Sequence, residues 1–392
     1  MKFNWQLIND NIPQSDKDVL IEFLQQNGVK LTQGSKVKEF EKVWSEWLGV
    51  KHSVYVNSGA NANLIMVATL KELTGKKEVI VPTIGWVSDI SPLVNLGLIP
   101  VFSEIDSKTM SMSLETIKAA VTDDTAAIVY VHALGFNGFD DEILDYLESK
   151  KIILIEDCCE SHGALHNGEK VGTFGLMSNF SFYFGHHITT IEGGMVCTND
   201  DNVYELLKMY RSHGLTREAS QEVREKYEIK YPNLNPLFTF AVPGFNCRNT
   251  ELNAVIGIAQ MSRIDYNIQK RHENLLMWIK GLSSDKFWTD YKLKGNSSFA
   301  LPLILVDSSL EKFEQVCQLL IEEKVEFRVG TAGGGSQVEQ PYLMGGKYNF
   351  KISGKLPVTN HIHKYGLYIG NHTDLIENQI TELTKKLNKL WN

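Results

Sequence analysis

Apolar segments and helical segments alternate through the first half of this chain, and this alternation limits the possible folds more than any other feature. The apolar segments predict strands at Glu78–Pro82, Pro100–Asp106, Ala126–Ala133 and Lys151–Asp157. Predicted helices lie between them, beginning at Ser88, Leu114 and Asp140. Strands joined by helices run parallel, and strands as continuously apolar as these are covered on both faces. The sequence therefore predicts an α/β fold with a mostly parallel sheet.

A second, smaller α/β unit is predicted near the C-terminus. The pattern changes from about residue 285, where a strand at Phe299–Val306 precedes a helix at Leu310–Lys324. A single long helix is predicted before this unit, from Leu252 to about Leu282, whereas residues 215–240 are polar and lack periodicity, which predicts a surface loop. A chain of 392 residues can form two domains. We predict a large domain over residues 1–250, and an interdomain helix with a small domain over residues 251–392.

Charge and hydropathy exclude several classes of partner. The formal net charge of −8 argues against binding to nucleic acid or to an anionic membrane surface. The chain has no run of about 18 apolar residues, so no membrane span is expected. The first residues lack the apolar core of a signal peptide. These observations predict a cytoplasmic protein.

The cysteine pattern does not indicate a metal or disulfide framework. The five cysteines are odd in number, their spacing matches no zinc-binding pattern, and they lie at Cys158, Cys159, Cys197, Cys247 and Cys317. Reduced thiols in the cytosol are the expected state. We expect no metal site.

A buried strand that ends in two histidines is the strongest indication of chemistry. The alternating Phe180, Phe182 and Phe184 predict a strand that stops at Gly185, directly before His186 and His187. Reacting groups gather where strands end at the edge of an α/β sheet. Adjacent residues point to opposite sides, so only one imidazole should reach a site. The alternative is that one histidine caps the strand and the other faces solvent.

Three further segments have both a functional and a structural interpretation. Asp157 ends an apolar strand, and a buried carboxylate there needs a cationic partner unless it caps the next helix. The Ser58-Gly59-Ala60 turn opens a helix and presents N–H groups that suit an anion, although many such turns only cap the helix. Trp86 could be a core aromatic, or it could stack on a planar ring at the end of a strand.

The segment from Phe180 to Gly194 resembles the cofactor-lysine segment of a known family. This is the DegT/DnrJ/EryC1/StrS family of sugar aminotransferases, which have the aspartate aminotransferase-like fold of type I pyridoxal-phosphate enzymes. Its pattern is Phe-Ser-Phe, then the Schiff-base lysine, then Ile-Thr and a Glu-Gly-Gly turn. Here His186 occupies the lysine position. The resemblance extends from about residue 10 to the C-terminus and points to the branch of sugar 3-dehydratases that share the histidine.

The resemblance implies a role for each residue around a pyridoxal or pyridoxamine 5′-phosphate. Gly59, Ala60 and Ser181 would hold the phosphate, and Trp86 would cover the ring. Asp157 would pair with the ring nitrogen and keep it protonated. Glu160, where aminotransferases usually have glutamine, would hydrogen-bond the ring hydroxyl. Histidine cannot form a Schiff base, so the cofactor would be bound non-covalently.

The resemblance also implies a homodimer with shared active sites. Asn246 would reach the partner's cofactor phosphate. Arg248 is a candidate for binding the carboxylate of a second substrate or the diphosphate of a sugar nucleotide, and the alternative is a surface arginine at a helix start. Some relatives that act on CDP-linked sugars hold an iron–sulfur cluster with closely grouped cysteines. Cys247 has no close partner, so no cluster is expected.

The implied reaction is loss of the C3 hydroxyl from a nucleotide-linked 4-keto-6-deoxyhexose. His186 would act as the base at the cofactor C4′ atom, and L-glutamate would restore the amine form of the cofactor. Two alternatives are a nucleotide-sugar aminotransferase and an inactive homologue that serves as a binding subunit. The glycine-rich stretch 330–341 lacks the lysine of a P-loop and has no assigned role. The nucleotide base, GDP, CDP or dTDP, is left open.

Overall fold

An eight-stranded, mostly parallel sheet is the centre of the computed structural model, which describes residues 4–391. The strands, in chain order, are β1 (His52–Val56), β2 (Glu78–Pro82), β3 (Ile99–Ser103), β4 (Thr125–Val131), β5 (Ile153–Asp157), β6 (Leu165–His166), β7 (Glu169–Lys170), β8 (Met177–Ser181), β9 (Gly194–Thr198), β10 (Ala300–Ile304), β11 (Phe327–Val329), β12 (Lys351–Ser353) and β13 (Gly366–Gly370). The large sheet has the order β1-β9-β8-β5-β4-β2-β3-β12. All neighbours from β8 to β12 are parallel, and β9 pairs antiparallel with β8 and β1.

Helices cover both faces of this sheet. Within the described residues the helices, including those of the C-terminal unit, are α1 (Gln14–Gln25), α2 (Ser35–Leu48), α3 (Gly59–Leu73), α4 (Ser91–Asn95), α5 (Leu114–Ala120), α6 (Asp141–Lys150), α7 (Asp201–Arg211), α8 (Gln221–Lys230), α9 (Glu251–Met261), α10 (Ile264–Gly281), α11 (Leu310–Glu322), α12 (Pro341–Met344), α13 (Pro357–Tyr365) and α14 (Glu377–Asn388). Successive strand residues enter different cores: Val79 and Val81 pack in one, and Ile80 packs in the other. The predicted α/β fold class is confirmed.

The C-terminal part of the chain forms a smaller antiparallel sheet and also returns to the large one. β13 lies between β10 and β11 in the small sheet. β12, in contrast, pairs with β3 at the edge of the large sheet, with Ile352 opposite Phe102. The domain boundary at residue 250 remains a prediction, and the chain crosses between the two sheets more than once.

Three sequence-based predictions about local structure are wrong. The single helix from Leu252 to Leu282 is two helices, because Arg263 leaves helical backbone angles between α9 and α10 and donates a hydrogen bond to Asp16 at 2.9 Å. Residues 215–240 are not only a loop, since they contain α8. This helix has no buried side chain among its described residues, so it carries no apolar stripe. Strand β8 ends at Ser181 rather than at Gly185.

No helix within residues 4–391 combines the length and the apolar run that crossing a bilayer requires.

Candidate active site

A cavity of about 300 Å³ lies at the carboxyl ends of β4, β5 and β8. Side chains from the large sheet, from α3 and from the small sheet meet there. The polar and aromatic residues that line it include Ser58, Trp86, Asp89, Asp157, Glu160, Ser181, Tyr183, His186, Glu192, Arg328 and Tyr368. The carboxyl edge of parallel strands is the usual place for a ligand in an α/β sheet. The sequence-predicted residues Gly59, Ala60, Trp86, Asp157, Glu160, Ser181 and His186 all line this cavity.

The start of α3 forms one end of the cavity and can bind an anion. Ser58 is the N-cap residue, and its Oγ accepts the N–H of Asn61 at 3.1 Å. The N–H groups of Gly59 and Ala60 have no acceptor within the helix because they belong to its first turn. A Cβ atom on Gly59 would lie 2.7 Å from the Cβ of Ser181, so only glycine allows α3 to approach the end of β8 this closely. The arrangement provides N–H donors, a helix dipole and a hydroxyl for a phosphate.

Asp157 is held at the centre of the cavity floor. Only 6 % of this residue is exposed. Its Oδ1 accepts the N–H of Cys159 at 3.0 Å, and its Oδ2 accepts the side-chain amides of Asn63 and Asn179 at 3.1 and 2.9 Å. Within residues 4–391, no lysine or arginine forms an ion pair with it. A cationic partner is therefore expected from a ligand, because a buried carboxylate is otherwise costly.

Glu160 and Trp86 flank Asp157. Glu160 Oε2 accepts the N–H of Leu134 at 2.7 Å. Burial raises the pKa of Glu160 to about 7, and the charge of Asp157 adds to this effect while the Leu134 hydrogen bond and the Arg328 charge oppose it. Trp86 is 52 % exposed, so its indole is a wall of the cavity rather than a core side chain. The exposed indole can cover a planar ring.

The two adjacent histidines have different surroundings. His186 lines the cavity, and its Nδ1 is buried without a hydrogen-bond partner in the described structure. His187 points away from the cavity: its Nδ1 lies 3.2 Å from Nδ1 of His162, and its Nε2 lies 3.0 Å from the carbonyl oxygen of Ser297. Only His186 is therefore placed to exchange a proton with a ligand.

His186 is uncharged at neutral pH. Burial lowers its pKa to about 3, the positive charge of Arg271 contributes to the decrease, and the charge of Asp157 opposes it. Arg271 is buried behind the histidine and donates to the carbonyl oxygens of His186 and Phe299 at 3.3 and 3.0 Å. A neutral imidazole can accept a proton, as a general base must.

Asn246 and Arg248 lie outside this cavity. Arg248 Nε donates to Oδ1 of Asn246 at 3.2 Å, and backbone bridges join the two residues to Ser212 and Val56. Arg248 lines a separate surface groove that also contains Lys38, among several other basic residues. A contribution of this pair to an active site would therefore be made to a second subunit.

Several residues of the cavity were not predicted from the sequence. Asp89 lies in the turn after Trp86, while Arg328 and Tyr368 come from the small sheet, where Arg328 Nη1 donates to the Tyr368 hydroxyl at 3.4 Å. Arg328 and Tyr368 reach the cavity because the small sheet packs beside it, and no local sequence signal predicts this packing. The acidic side chain of Asp89 within an apolar segment was a signal that could have been used.

The glycine-rich stretch 330–341 packs against the turn that carries Trp86. The N–H of Gln337 donates to the carbonyl oxygen of Thr83 at 2.9 Å, and Ala332 reaches the cavity. Gly333 has a φ of +62°, and a Cβ atom on it would collide with the carbonyl oxygen of Gly85. The glycines thus permit close packing of two backbone segments at the cavity wall.

The cavity fits a pyridoxal or pyridoxamine phosphate, and it does not provide a covalent anchor for one. Free N–H groups, the unpaired carboxylate of Asp157 and the exposed indole of Trp86 match a phosphate, a protonated ring nitrogen and a ring face. Among the described residues that line the cavity, none is a lysine. The nitrogen of His186 without a partner is the group left to react.

Comparisons with known proteins test the family predicted from the sequence. The sequence profile of the DegT/DnrJ/EryC1/StrS aminotransferase family matches residues 11–388. GDP-4-keto-6-deoxy-D-mannose 3-dehydratase from Yersinia pseudotuberculosis is 36% identical over 364 residues, which cover 91% of this chain and 92% of the relative. The protein of the same name from Escherichia coli O55:H7 is 32% identical, with 91% and 92% covered.

Solved structures of similar proteins have the same fold. A histidine-to-asparagine mutant of GDP-4-keto-6-deoxymannose-3-dehydratase with bound GDP-perosamine superimposes with a TM-score of 0.89 at 30% identity, covering 98% of this chain and 100% of the other. The same enzyme with a trapped PLP-glutamate geminal diamine gives a TM-score of 0.88 at 30% identity, with the same coverage. The family predicted from the Phe180–Gly194 segment is confirmed: this chain belongs to the DegT/DnrJ/EryC1/StrS aminotransferase family.

Proposed function

We propose that this chain is a sugar 3-dehydratase that depends on pyridoxamine and pyridoxal phosphate. Its substrate would be a nucleotide-linked 4-keto-6-deoxyhexose, with GDP-4-keto-6-deoxy-D-mannose as the first choice, and its product a 3,6-dideoxy-4-keto sugar. The observation that carries this proposal is His186 in a cavity whose described lining contains no lysine. The names of the two relatives with 91% coverage support the choice of sugar nucleotide.

Seven residues of this chain and two of a second subunit would hold the cofactor and act on the substrate. The N–H groups of Gly59 and Ala60 and the hydroxyl of Ser181 bind the phosphate, and Trp86 covers the ring. Asp157 holds the proton of the ring nitrogen, and Glu160 accepts or donates a hydrogen bond at the ring hydroxyl. When bound, the group supplies an amine for the C4 ketone and a ring that takes up electrons.

His186 moves the protons of the reaction. In its neutral form the imidazole accepts a proton at the C4′ atom, and the same imidazole then carries the proton with which the C3 hydroxyl leaves as water. A lysine at this position could also act as a base, but its amine would compete for the aldehyde form of the cofactor. Hydrolysis gives the 3-deoxy-4-keto sugar and ammonia, and L-glutamate, leaving as 2-oxoglutarate, supplies the amine and the electrons for the next turnover.

The active form would be a homodimer with shared sites. Asn246 and Arg248 lie outside their own cavity. Asn246 would therefore bind the partner's cofactor phosphate, and Arg248 would bind the carboxylate of glutamate or the diphosphate of the sugar nucleotide in the partner's site. The reaction belongs in the cytoplasm, where it would contribute to 3,6-dideoxyhexose synthesis for O-antigen and lipopolysaccharide. Mixing His186→Asn with Arg248→Ala chains tests the sharing, because a mixed dimer would contain one intact site and recover activity.

The function is tested by turnover of three sugar nucleotides. The purified chain is incubated with pyridoxal phosphate, L-glutamate and the GDP-, CDP- or dTDP-linked 4-keto-6-deoxyhexose, and ammonia and 2-oxoglutarate are measured. The expected result is one ammonia per deoxygenated sugar with the GDP-linked substrate. An amino sugar without ammonia would instead identify an aminotransferase. A chain that binds no cofactor would be an inactive binding homologue.

A further inference from the structure

Asp89 is a second buried carboxyl beside Asp157, and the proposed reaction leaves it without a role. Only 2 % of Asp89 is exposed. The side-chain amide of Asn63 donates to Oδ1 of Asp89 and to Oδ2 of Asp157, each at 3.1 Å. In residues 4–391 neither carboxyl forms an ion pair with a lysine or arginine. Two buried carboxyls this close do not both ionise, so one of them retains a proton.

The hydrogen bonds assign the proton to Asp89. Asp157 accepts three donors, from Cys159, Asn63 and Asn179, and these stabilise its ionised form. Asp89 accepts two, from Asn63 and from the Trp86 N–H. Burial raises the pKa of Asp89 well above its ordinary value, and the charge of Asp157 and a hydrogen bond to it act in the same direction.

The same side chain fixes the turn that carries Trp86. Asp89 Oδ2 accepts the backbone N–H of Trp86 at 3.1 Å. A Cβ atom on Gly85 would lie 3.1 Å from this oxygen, so the turn closes tightly around the carboxyl. Through Asn63, Asp89 therefore connects the turn of Trp86 with α3 and with the end of β5.

Building on the proposed function, we propose that Asp89 is a positioning residue for the cofactor ring. It joins the indole that covers the ring to the carboxylate that faces the ring nitrogen. In its protonated form it donates to Asp157, so the ring nitrogen meets one negative charge instead of two. A residue with a purely structural role would stabilise the turn that carries Trp86 without changing how the cofactor ring binds.

Two substitutions at Asp89 separate these roles. Asparagine resembles the protonated acid in shape and hydrogen bonding, whereas alanine removes the side-chain acceptor of the Trp86 N–H and leaves the Asn63 amide with Asp157 but without Asp89. Pyridoxamine phosphate is titrated into the full-length chain, with tryptophan fluorescence and cofactor absorbance as readouts. We expect Asp89→Asn to keep the Kd within about threefold of the wild-type value, and Asp89→Ala to weaken binding about tenfold or more.

Asp106 provides a matched control. It also accepts backbone N–H groups in a turn, from Lys108 and Thr109, but it does not line the cavity. Asp106→Ala should lower the melting temperature and leave the Kd for pyridoxamine phosphate unchanged. Equal Kd values for Asp89→Ala and the wild type would overturn the inference. So would a loss of affinity for pyridoxamine phosphate in Asp89→Asn that is as large as the loss in Asp89→Ala.

Infrared spectroscopy tests the proton directly and without the cofactor. The difference spectrum between the wild-type chain and Asp89→Asn at neutral pH should contain the carbonyl band of a protonated, buried carboxylic acid, and this band should shift in heavy water. Absence of the band would refute the inference even if the wild type binds the cofactor. A wild type that fails to bind pyridoxamine phosphate would reject the proposed function as well.

Discussion

The guanidinium of Arg271 donates a hydrogen bond to the carbonyl oxygen of His186 at 3.3 Å. The arginine therefore fixes the backbone of the candidate base, and its positive charge adds to the effect of burial in lowering the pKa of the imidazole. The structure thus combines positioning and charge control in one buried side chain.

Replacing Arg271 should change the pH dependence of the reaction. Without its positive charge the pKa of His186 rises, and because the neutral imidazole is the active form, the acid limb of the kcat/KM profile moves to higher pH. Arg271→Gln should show this shift, and Arg271→Lys, which retains the charge, should show less of it. Identical acid limbs in the two variants would contradict the assigned effect of charge.

The two histidines should respond differently to substitution. His186→Asn should lower kcat by about 10²–10⁴-fold while pyridoxamine phosphate still binds, because only the proton transfer is lost. His187→Ala should mainly lower the melting temperature, since it breaks the contacts with His162 and Ser297. Steady-state kinetics per folded enzyme and thermal unfolding distinguish the two. A larger kcat loss in His187→Ala would show that the base was assigned to the wrong residue.

Gly59→Ala should disturb the phosphate end of the cavity. The new Cβ atom would meet Ser181 at 2.7 Å, so we expect a loss of about 1–3 kcal/mol in the free energy of unfolding, together with weaker cofactor binding. Gly75→Ala is the matched control, because a Cβ atom there meets nothing within 4 Å. Denaturant unfolding and cofactor titration of both variants check the prediction, which fails if both behave alike.

Glu160→Gln should make the cofactor-free chain more stable at high pH. The folded-state pKa of Glu160 is raised to about 7, so the folded state binds a proton that the unfolded state releases near pH 4.5. Stability from this group is therefore present below about pH 4.5 and is lost as pH rises to about 7. Glutamine does not ionise, so the variant does not lose this stability as the pH rises. Its melting temperature should exceed that of the wild type at pH 8 and match it at pH 4.

The fold was predictable because it follows from local patterns. Apolar strands such as Thr125–Val131 alternate with helices, and this pattern determines a parallel sheet wherever both faces are covered. The exposed helix α8 was missed because a helix without an apolar stripe has no periodic signal. The break at Arg263 was missed because it coincides with a contact to Asp16, which is distant in the sequence.

The candidate site was predictable only in part. Asp157 ends β5 and His186 follows the end of β8, so their location at the sheet edge follows from the sequence pattern and the family resemblance. Asp89, Arg328 and Tyr368 enter the cavity through tertiary packing, and of these only Asp89, an acidic residue within an apolar segment, gave a signal in the sequence. The motif predicted that His186, and not His187, faces the cavity. The orientation of His187 depends on its contacts with Ser297 and His162, which are distant from it in the sequence.

The return of β12 to the large sheet affects how this protein can be divided. Lys351–Ser353 covers the outer side of β3, so a fragment that stops before residue 351 would expose the backbone N–H and C=O groups of that strand. Bare strand edges recruit other chains, and truncated forms should therefore self-associate instead of behaving as an independent cofactor-binding unit.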